Sequence, residues 1–171
     1  PVTEIQGVAY SRPLPLSTAH DVAQFDCGKL PLNDWIKNKS KHSEGHSART
    51  YVVTQSTDSV VVGYYCISAG AVSHDIAPGF ARRNAPDPIP VMVMGRLAID
   101  RKNQGHRLGA GLLKDAFQRV LEASKIIGAA ALVVHAIDDD AVGFYTQYKF
   151  VAFPMGTKTL FLPIRTIAAA L

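Results

Sequence analysis

The stretch "DRKNQGHRLGAGLLKDAF" (100–117) sets Gly105, Gly109 and Gly111 within seven residues, where a strand-like run gives way to a helical one. Glycine costs about 1 kcal/mol in a helix interior, so three at a helix head serve something other than helix propensity. The first helical turn has N–H groups without intrahelical partners, and the helix dipole adds positive potential there. Glycines remove the side chains that would keep a phosphate from those amides. The segment therefore calls for a strand, an anion-binding turn and a long helix in succession, which points to a mixed α/β architecture.

The rest of the chain reads the same way. "GVAYSRPLPL" is a short strand ended by Pro13 and Pro15, which break a ladder. "STAHDVAQF" reads as a short helix with Ser17 and Thr18 as N-caps. "GKLPLNDWIKNKSKHSEG" spaces Leu30, Leu32, Trp35 and Ile36 helically, with lysines opposite and Gly45 as terminator. "RTYVVTQ", "SVVVGYYCISAGAV" and "IPVMVMGRLAID" are β-branched and aromatic, so they predict strands. "STDS" turns between the first two, and the long loop "SHDIAPGFARRNAPDPIP" precedes the third; loops of such length are usually functional. "HRLGAGLLKDAFQRVLEASKIIG" carries Leu108, Leu112, Leu113, Phe117, Val120 and Leu121 on one stripe, with Gly128 as C-cap. "AAALVVHAI" is a continuous apolar strand. "DDDAVGFYTQYKF" is a short helix with acids at its head, and "FVAFPM" and "KTLFLPI" are strands around a "GT" turn. The expected order is β-α-α-β-β-β-α-β-α-β-β in a single domain spanning 1–171.

At 47% hydrophobic and 19% charged, the chain has the makings of a packed core and is not a disordered one. No window offers the ~20 uncharged apolar residues of a membrane span. The opening "PVTEIQGVAYSR" lacks a basic start followed by an apolar run, and Cys27 and Cys66 have no motif spacing. A cytoplasmic location with free thiols is the expectation. Net charge is +4, and its placement matters more than its sum: Lys29, Lys37, Lys39, Lys41 and Arg49 face only Asp34 and Glu44 in their stretch, and Arg82–Arg83 sit in the proline-rich loop. Such patches suit a polyanion, although a solvated helix face beside a basic loop has the same composition.

The phosphate ligand follows by elimination only in part. A Walker loop is absent because Lys114 does not follow a glycine, and a dinucleotide fingerprint begun at Gly109 meets Lys114 at its third glycine position. What remains is Gln104-x-x-Arg107-x-Gly109. This piece resembles the acyl-CoA signature of the GNAT superfamily of N-acetyltransferases, Gln/Arg-x-x-Gly-x-Gly/Ala, which follows a strand and opens a long helix. "DDDAVGFYTQYKF" is similar to that superfamily's late helix and strand, with Ala-x-x-x-Tyr and a closing Phe. "FDCGKLPLNDWI", "IPVMVMGRLAID" and "LVVHAIDDDAVGFY" together resemble the GNAT toxins of bacterial toxin–antitoxin pairs, so the resemblance covers nearly the whole chain.

The resemblance implies a GNAT fold, a mixed central sheet of about six to seven strands flanked by about four helices. It implies acetyl transfer from acetyl-CoA, without a metal, to the α-amino group of aminoacyl-tRNA, blocking translation. It also implies a ribbon–helix–helix antitoxin and a homodimer. Backbone groups of Leu97, Ala98 and Ile99, on a strand splayed from its neighbour, would hold the pantetheine arm. The amides of Gln104, Gly105, His106, Arg107, Gly109 and Ala110 would hold the pyrophosphate, with Asp140 a peripheral contact. Tyr145 would be the general acid, since a phenol with pKa about 10 is protonated at neutral pH; Phe144 would pack. Lys29, Lys37, Lys39, Lys41, Arg49, Arg82 and Arg83 would track RNA phosphates.

One position departs from the pattern. Arg107 stands where the superfamily has glycine; if that position needs φ > 0, the side chain costs about 1–2 kcal/mol. Either its cation helps hold a phosphate, or the loop binds the donor more weakly. His135, alone on an apolar strand, reads as structural. His42 and His46 have metal-ligand spacing, but Ser43 and Gly45 weaken that helix and no third ligand is evident. Two other functions stay open at this level: a GNAT enzyme acting on a small-molecule or protein amine, and a non-catalytic relative whose loop has lost acetyl-CoA.

Overall fold

Short apolar runs broken by glycine and proline dictate short strands at the start of the chain. The computed structural model describes residues 3–5, 7–55, 58–154 and 156–171. In it β1 (Thr3–Ile5) and β2 (Val8–Tyr10) form an antiparallel hairpin about Gly7. β3 (Leu14–Pro15) pairs with β4 (Arg49–Thr54), which pairs with β5 (Val61–Val72), both antiparallel. β6 (Ile89–Ile99) runs parallel to β7 (Ala131–His135). β9 (Thr159–Pro163) is antiparallel to both β7 and β8 (Val151–Ala152). Among the described residues these seven strands, β3 to β9, follow the sheet order β3-β4-β5-β6-β7-β9-β8.

The helices differ more from expectation. The stretch 17–25 is not helical. Ser17 spends its backbone N–H on the His20 ring at 3.0 Å and its hydroxyl on the Ala19 N–H at 3.3 Å, the local side-chain bonding that competes with a helix. The lysine-rich helix forms, but in three parts: α1 (Leu30–Asp34), a π-helical turn (Trp35–Lys39) and α2 (Ser40–Ser43), with Gly45 beyond at φ +82°. The long loop contains α3 (Gly79–Arg82). α4 (Leu108–Ser124) stops short of Gly128, and α5 (Asp139–Gln147) follows β7. A last helix that the sequence did not announce, α6 (Ile164–Ala170), follows β9. Of the expected "STDS" turn, residues 56 and 57 lie outside the described residues, as does 155 in "FVAFPM".

The chain falls into two compact units, Pro1–Ile67 with Arg96–Ala116 and Ser68–Gly95 with Phe117–Leu171. In the first, rings organise the core. Trp35 stacks on Tyr64 at 5.7 Å and Phe25 meets Tyr64 edge-on at 5.4 Å, with Val22, Val52, Val61, Cys66 and Ala98 around them. The π-helical turn lets consecutive residues Trp35 and Ile36 both be buried. The Tyr64 hydroxyl donates to the Leu32 carbonyl at 2.7 Å, satisfying a polar tip that burial would otherwise strand; desolvation pushes its pKa well above the usual phenol range. The Arg96 guanidinium lies 4.6 Å over the Trp35 ring.

In the second unit Val72, Ile89, Val91, Ala131, Val133, Phe153 and Phe161 form the core. The first four residues of β7 are buried, which is why "ALVV" is continuously apolar rather than alternating. Gly70 marks a close approach: a Cβ there would stand 2.6 Å from a Val93 methyl.

Candidate active site

The glycine loop belongs to the first unit and is built from the end of β6. Asp100 closes a short turn by accepting from the Lys102 N–H at 3.0 Å and, with its other oxygen, from the Asp26 N–H at 3.0 Å. Asp26 is a second anchor. The Gly28 N–H, the Asn33 amide and nearby Arg101 hold its carboxyl below the usual range. Gln104 then turns its amide back, donating to the carbonyls of Ile99 at 2.9 Å and Cys27 at 3.3 Å.

With both ends tied, the chain makes two left-handed residues, Gly105 at φ +83° and Arg107 at φ +59°, on either side of His106. The position flagged for glycine is thus left-handed, and Arg107 carries that strain. The next residue opens α4. Among the described residues, none accepts a hydrogen bond from the backbone N–H groups of Gly105 to Ala110; the first such bond is from Gly111 to the Arg107 carbonyl at 3.1 Å. A run of open amides at the head of a 17-residue helix is an anion cradle. Leu97, Ala98 and Ile99 lie on β6 just before it. The β6–β7 ladder runs from Val91 with Ala131 to Met94 with Val134 and ends short of these three.

Tyr145 and Asp140 lie in the second unit on α5. Asp138 caps this helix by accepting from the Ala141 N–H at 2.9 Å, with Asp139 and Asp140 in the first turn. Asp140 is exposed. Tyr145 is 6% exposed, and its ring meets Phe144 at 5.2 Å and Phe150 at 5.3 Å, both edge-on. Phe144 packs, as expected. His135 is exposed and bonds Thr159 at 3.0 Å. Cys27 and Cys66 are free and buried.

The basic residues are all exposed. Lys29, Lys37, Lys39, Lys41 and Arg49 border α1, the π-helical turn and α2 in the first unit; Arg82 and Arg83 are at α3 in the second. Lys39 pairs with Asp34 at 2.8 Å and Arg49 with Glu44 at 3.6 Å. Among the described residues no carboxylate lies within 4.0 Å of Lys37, Lys41, Arg82 or Arg83. Arg83 also lines a cavity of about 300 Å³ together with Phe80, Phe161 and Arg165 of α6. Arg165 stands out only once α6 is seen, because the helix has no signal in the sequence. Tyr10 and Asn103 likewise have no local signal: their side chains meet beside the loop at 3.1 Å across 93 residues of sequence.

No family model matches the chain. It is 41% identical over 162 residues to the tRNA-acetylating toxin of Mycobacterium tuberculosis (strain ATCC 25618 / H37Rv), covering 94% of this chain and 96% of that protein. Among solved structures, a tyrosine-to-phenylalanine mutant of KacT superposes with a TM-score of 0.88 at 25% identity, over 95% of this chain and 99% of that one. AtaT complexed with acetyl-methionyl-tRNAfMet gives 0.84 at 27% identity, over 94% and 98%. A tyrosine-to-phenylalanine mutant of AtaT bound to the C-terminus of the antitoxin AtaR and acetyl-CoA gives 0.79 at 26% identity, over 95% and 97%. The fold is therefore that of the GNAT-type toxins, as the motifs implied. Within that class the identity over nearly the full length decides the matter: the chain belongs to the family of tRNA-acetylating toxins.

Proposed function

We propose that this protein transfers the acetyl group of acetyl-CoA to the α-amino group of an aminoacyl-tRNA, which removes that tRNA from translation, and that a cognate antitoxin neutralises it. The carrying observation is the run of open amides from Gly105 to Ala110 at the head of α4, in a chain 41% identical to a tRNA-acetylating toxin. The loop keeps its left-handed turn with arginine in place, which favours retained donor binding over a disabled loop.

The chemistry assigns each element one task. The amides of Gly105, His106, Arg107, Gly109 and Ala110 bind the diphosphate, where the helix dipole and the Arg107 cation favour negative charge; the Gln104 N–H, expected among them, donates instead to the Arg101 carbonyl at 3.4 Å, so Gln104 shapes the loop rather than offering a free amide. Leu97, Ala98 and Ile99 bind the pantetheine arm through main-chain groups, with Asp140 at the periphery. The α-amine of an aminoacyl ester is a weak base and arrives largely neutral, so no dedicated base is required. It attacks the thioester carbonyl, the tetrahedral oxyanion collapses, and the C–S bond breaks. The leaving thiolate takes the Tyr145 hydroxyl proton, and the proton released from the new amide nitrogen restores the phenol. That KacT and AtaT were each solved as tyrosine-to-phenylalanine mutants supports the tyrosine assignment. The exposed cations Lys29, Lys37, Lys39, Lys41, Arg49, Arg82 and Arg83 track tRNA phosphates. A ribbon–helix–helix antitoxin, a homodimer and a cytoplasmic location complete the reading.

The test is incubation with labelled acetyl-CoA and total charged tRNA. Label enters tRNA only when it is aminoacylated, and Tyr145→Phe slows transfer by roughly 10²–10⁴-fold. Acetylation of free amines, with charged tRNA left unlabelled, would overturn the substrate.

A further inference from the structure

His106 sits between the two left-handed residues of the loop, and its backbone N–H is one of the open amides. Its side chain is also in a defined state. The Tyr10 hydroxyl lies 3.2 Å from His106 Nδ1, and the Asn103 amide nitrogen donates to the same hydroxyl at 3.1 Å. Tyr10 is 1% exposed and Asn103 6%. A phenol so buried must place its one proton on an acceptor. Asn103 occupies the hydroxyl as a donor, so the proton goes to Nδ1, the acceptor in reach among the described residues. Nδ1 is then unprotonated, and a neutral imidazole carries its hydrogen on Nε2. Nε2 makes no hydrogen bond among the described residues, and the ring is half-buried in the loop that binds the anion.

We propose that Asn103 and Tyr10 form a relay holding His106 in its Nε2–H form, so that the His106 side chain, besides its backbone, donates a hydrogen bond to the diphosphate of the acyl-CoA. This rests on the reading of the loop as the donor site. Tyr10 and Asn103 are positioning residues, and His106 is the ligand. The arrangement gives the loop one side-chain donor whose direction is fixed before the ligand arrives, which lowers the ordering cost of binding.

Two measurements on the full chain test it. Nitrogen-15 correlation spectra of the ligand-free protein read the tautomer. Wild type is expected to show an unprotonated Nδ1 and a protonated Nε2 at His106, and Tyr10→Phe to show a mixture. Calorimetry with coenzyme A then compares wild type, His106→Ala, Tyr10→Phe and the double variant. A hydrogen bond to a charged group predicts about tenfold weaker binding for His106→Ala and a smaller loss for Tyr10→Phe. The double variant should be no weaker than His106→Ala alone, because Tyr10 acts through His106. A wild-type ring protonated on Nδ1, unchanged affinity in His106→Ala, or fully additive losses each overturn the relay. Failure of wild type to bind coenzyme A overturns the donor-site reading and the ligand assigned here with it, while the spectra still report the tautomer.

Discussion

In the glycine loop the groups offered to a ligand are backbone amides, and polar side chains hold the backbone that carries them. Asp100 and Gln104 tie the loop to Asp26, Cys27 and Ile99, and two left-handed residues, Gly105 and Arg107, lie in the run whose amides have no acceptor among the described residues. On α5 the offered group is a single phenol, and rings hold it: Tyr145 meets Phe144 and Phe150 edge-on and is almost fully buried. On the proposed function, the first region carries its role in conformation and the second in one oxygen atom. A region of the first kind is sensitive above all to φ, with His106 and Arg107 adding side-chain contributions to the backbone donors. A region of the second kind loses its chemistry with one atom and keeps its shape.

Tyr145→Phe presses that difference hardest. It deletes the hydroxyl and leaves both ring contacts, so single-turnover acetylation of charged tRNA should fall by roughly 10²–10⁴-fold. Thermal unfolding should move little and coenzyme A affinity should hold. A variant that lost activity only because it unfolded would erase the contrast. The exposed cations extend it to function carried by charge alone. Arg82→Glu with Arg83→Glu should weaken tRNA acetylation by about tenfold or more at low salt and flatten its salt dependence. Acetyl-CoA affinity should stay as it was. Unchanged acetylation by that double variant would remove α3 from the tRNA surface.

The strands around both regions were legible in the sequence because their side chains announce burial: β4, β5, β6 and β7 fall where the β-branched runs are. α4 was legible from its stripe, but its end was not. Gly128 looked like the stop, yet the helix closes at Ser124, whose hydroxyl bonds back to the Leu121 carbonyl at 2.7 Å. Beyond it Ile126 is 86% exposed, so no burial pulls the helix onward. The stretch 17–25 failed for another reason: Ser17 and Asp21 spend their side-chain oxygens on the N–H groups of Ala19 and Ala23, so local turns replace the helix while Val22 and Phe25 are still buried. α6 was missed because only Ile167 of its seven residues is fully buried. In the loop, the left-handed position at Arg107 was legible only through the resemblance, whose pattern puts glycine there. The relay was not, because Tyr10 lies 96 residues from His106 and only the fold joins them.

The loop's own substitutions show how conformation and ligand binding separate. Gly105→Ala meets no steric obstacle, since nothing lies within 4 Å of a Cβ built there. Its cost comes from φ +83° alone, about 1–2 kcal/mol of stability, read as a lower unfolding midpoint in urea. A null result would mean that the loop relaxes to another shape, and coenzyme A affinity would then fall in place of stability.

Arg107→Gly runs the other way and has the smallest expected effect. Removing the side chain at φ +59° relieves about 1–2 kcal/mol of strain, and glycine's extra freedom in the unfolded chain offsets roughly 0.5–1 kcal/mol of that. The net gain lies between about zero and 1.5 kcal/mol, a rise of at most about 3–6 °C in Tm for a chain of this size. The guanidinium is lost at the same time, and with it an attraction to the diphosphate, so affinity for acetyl-CoA should drop a few-fold and most clearly at low salt. Stability and affinity therefore move in opposite directions, which a merely damaged loop would not produce. If affinity instead rises with stability, Arg107 hinders the donor, and the strained residue weakens the site it occupies.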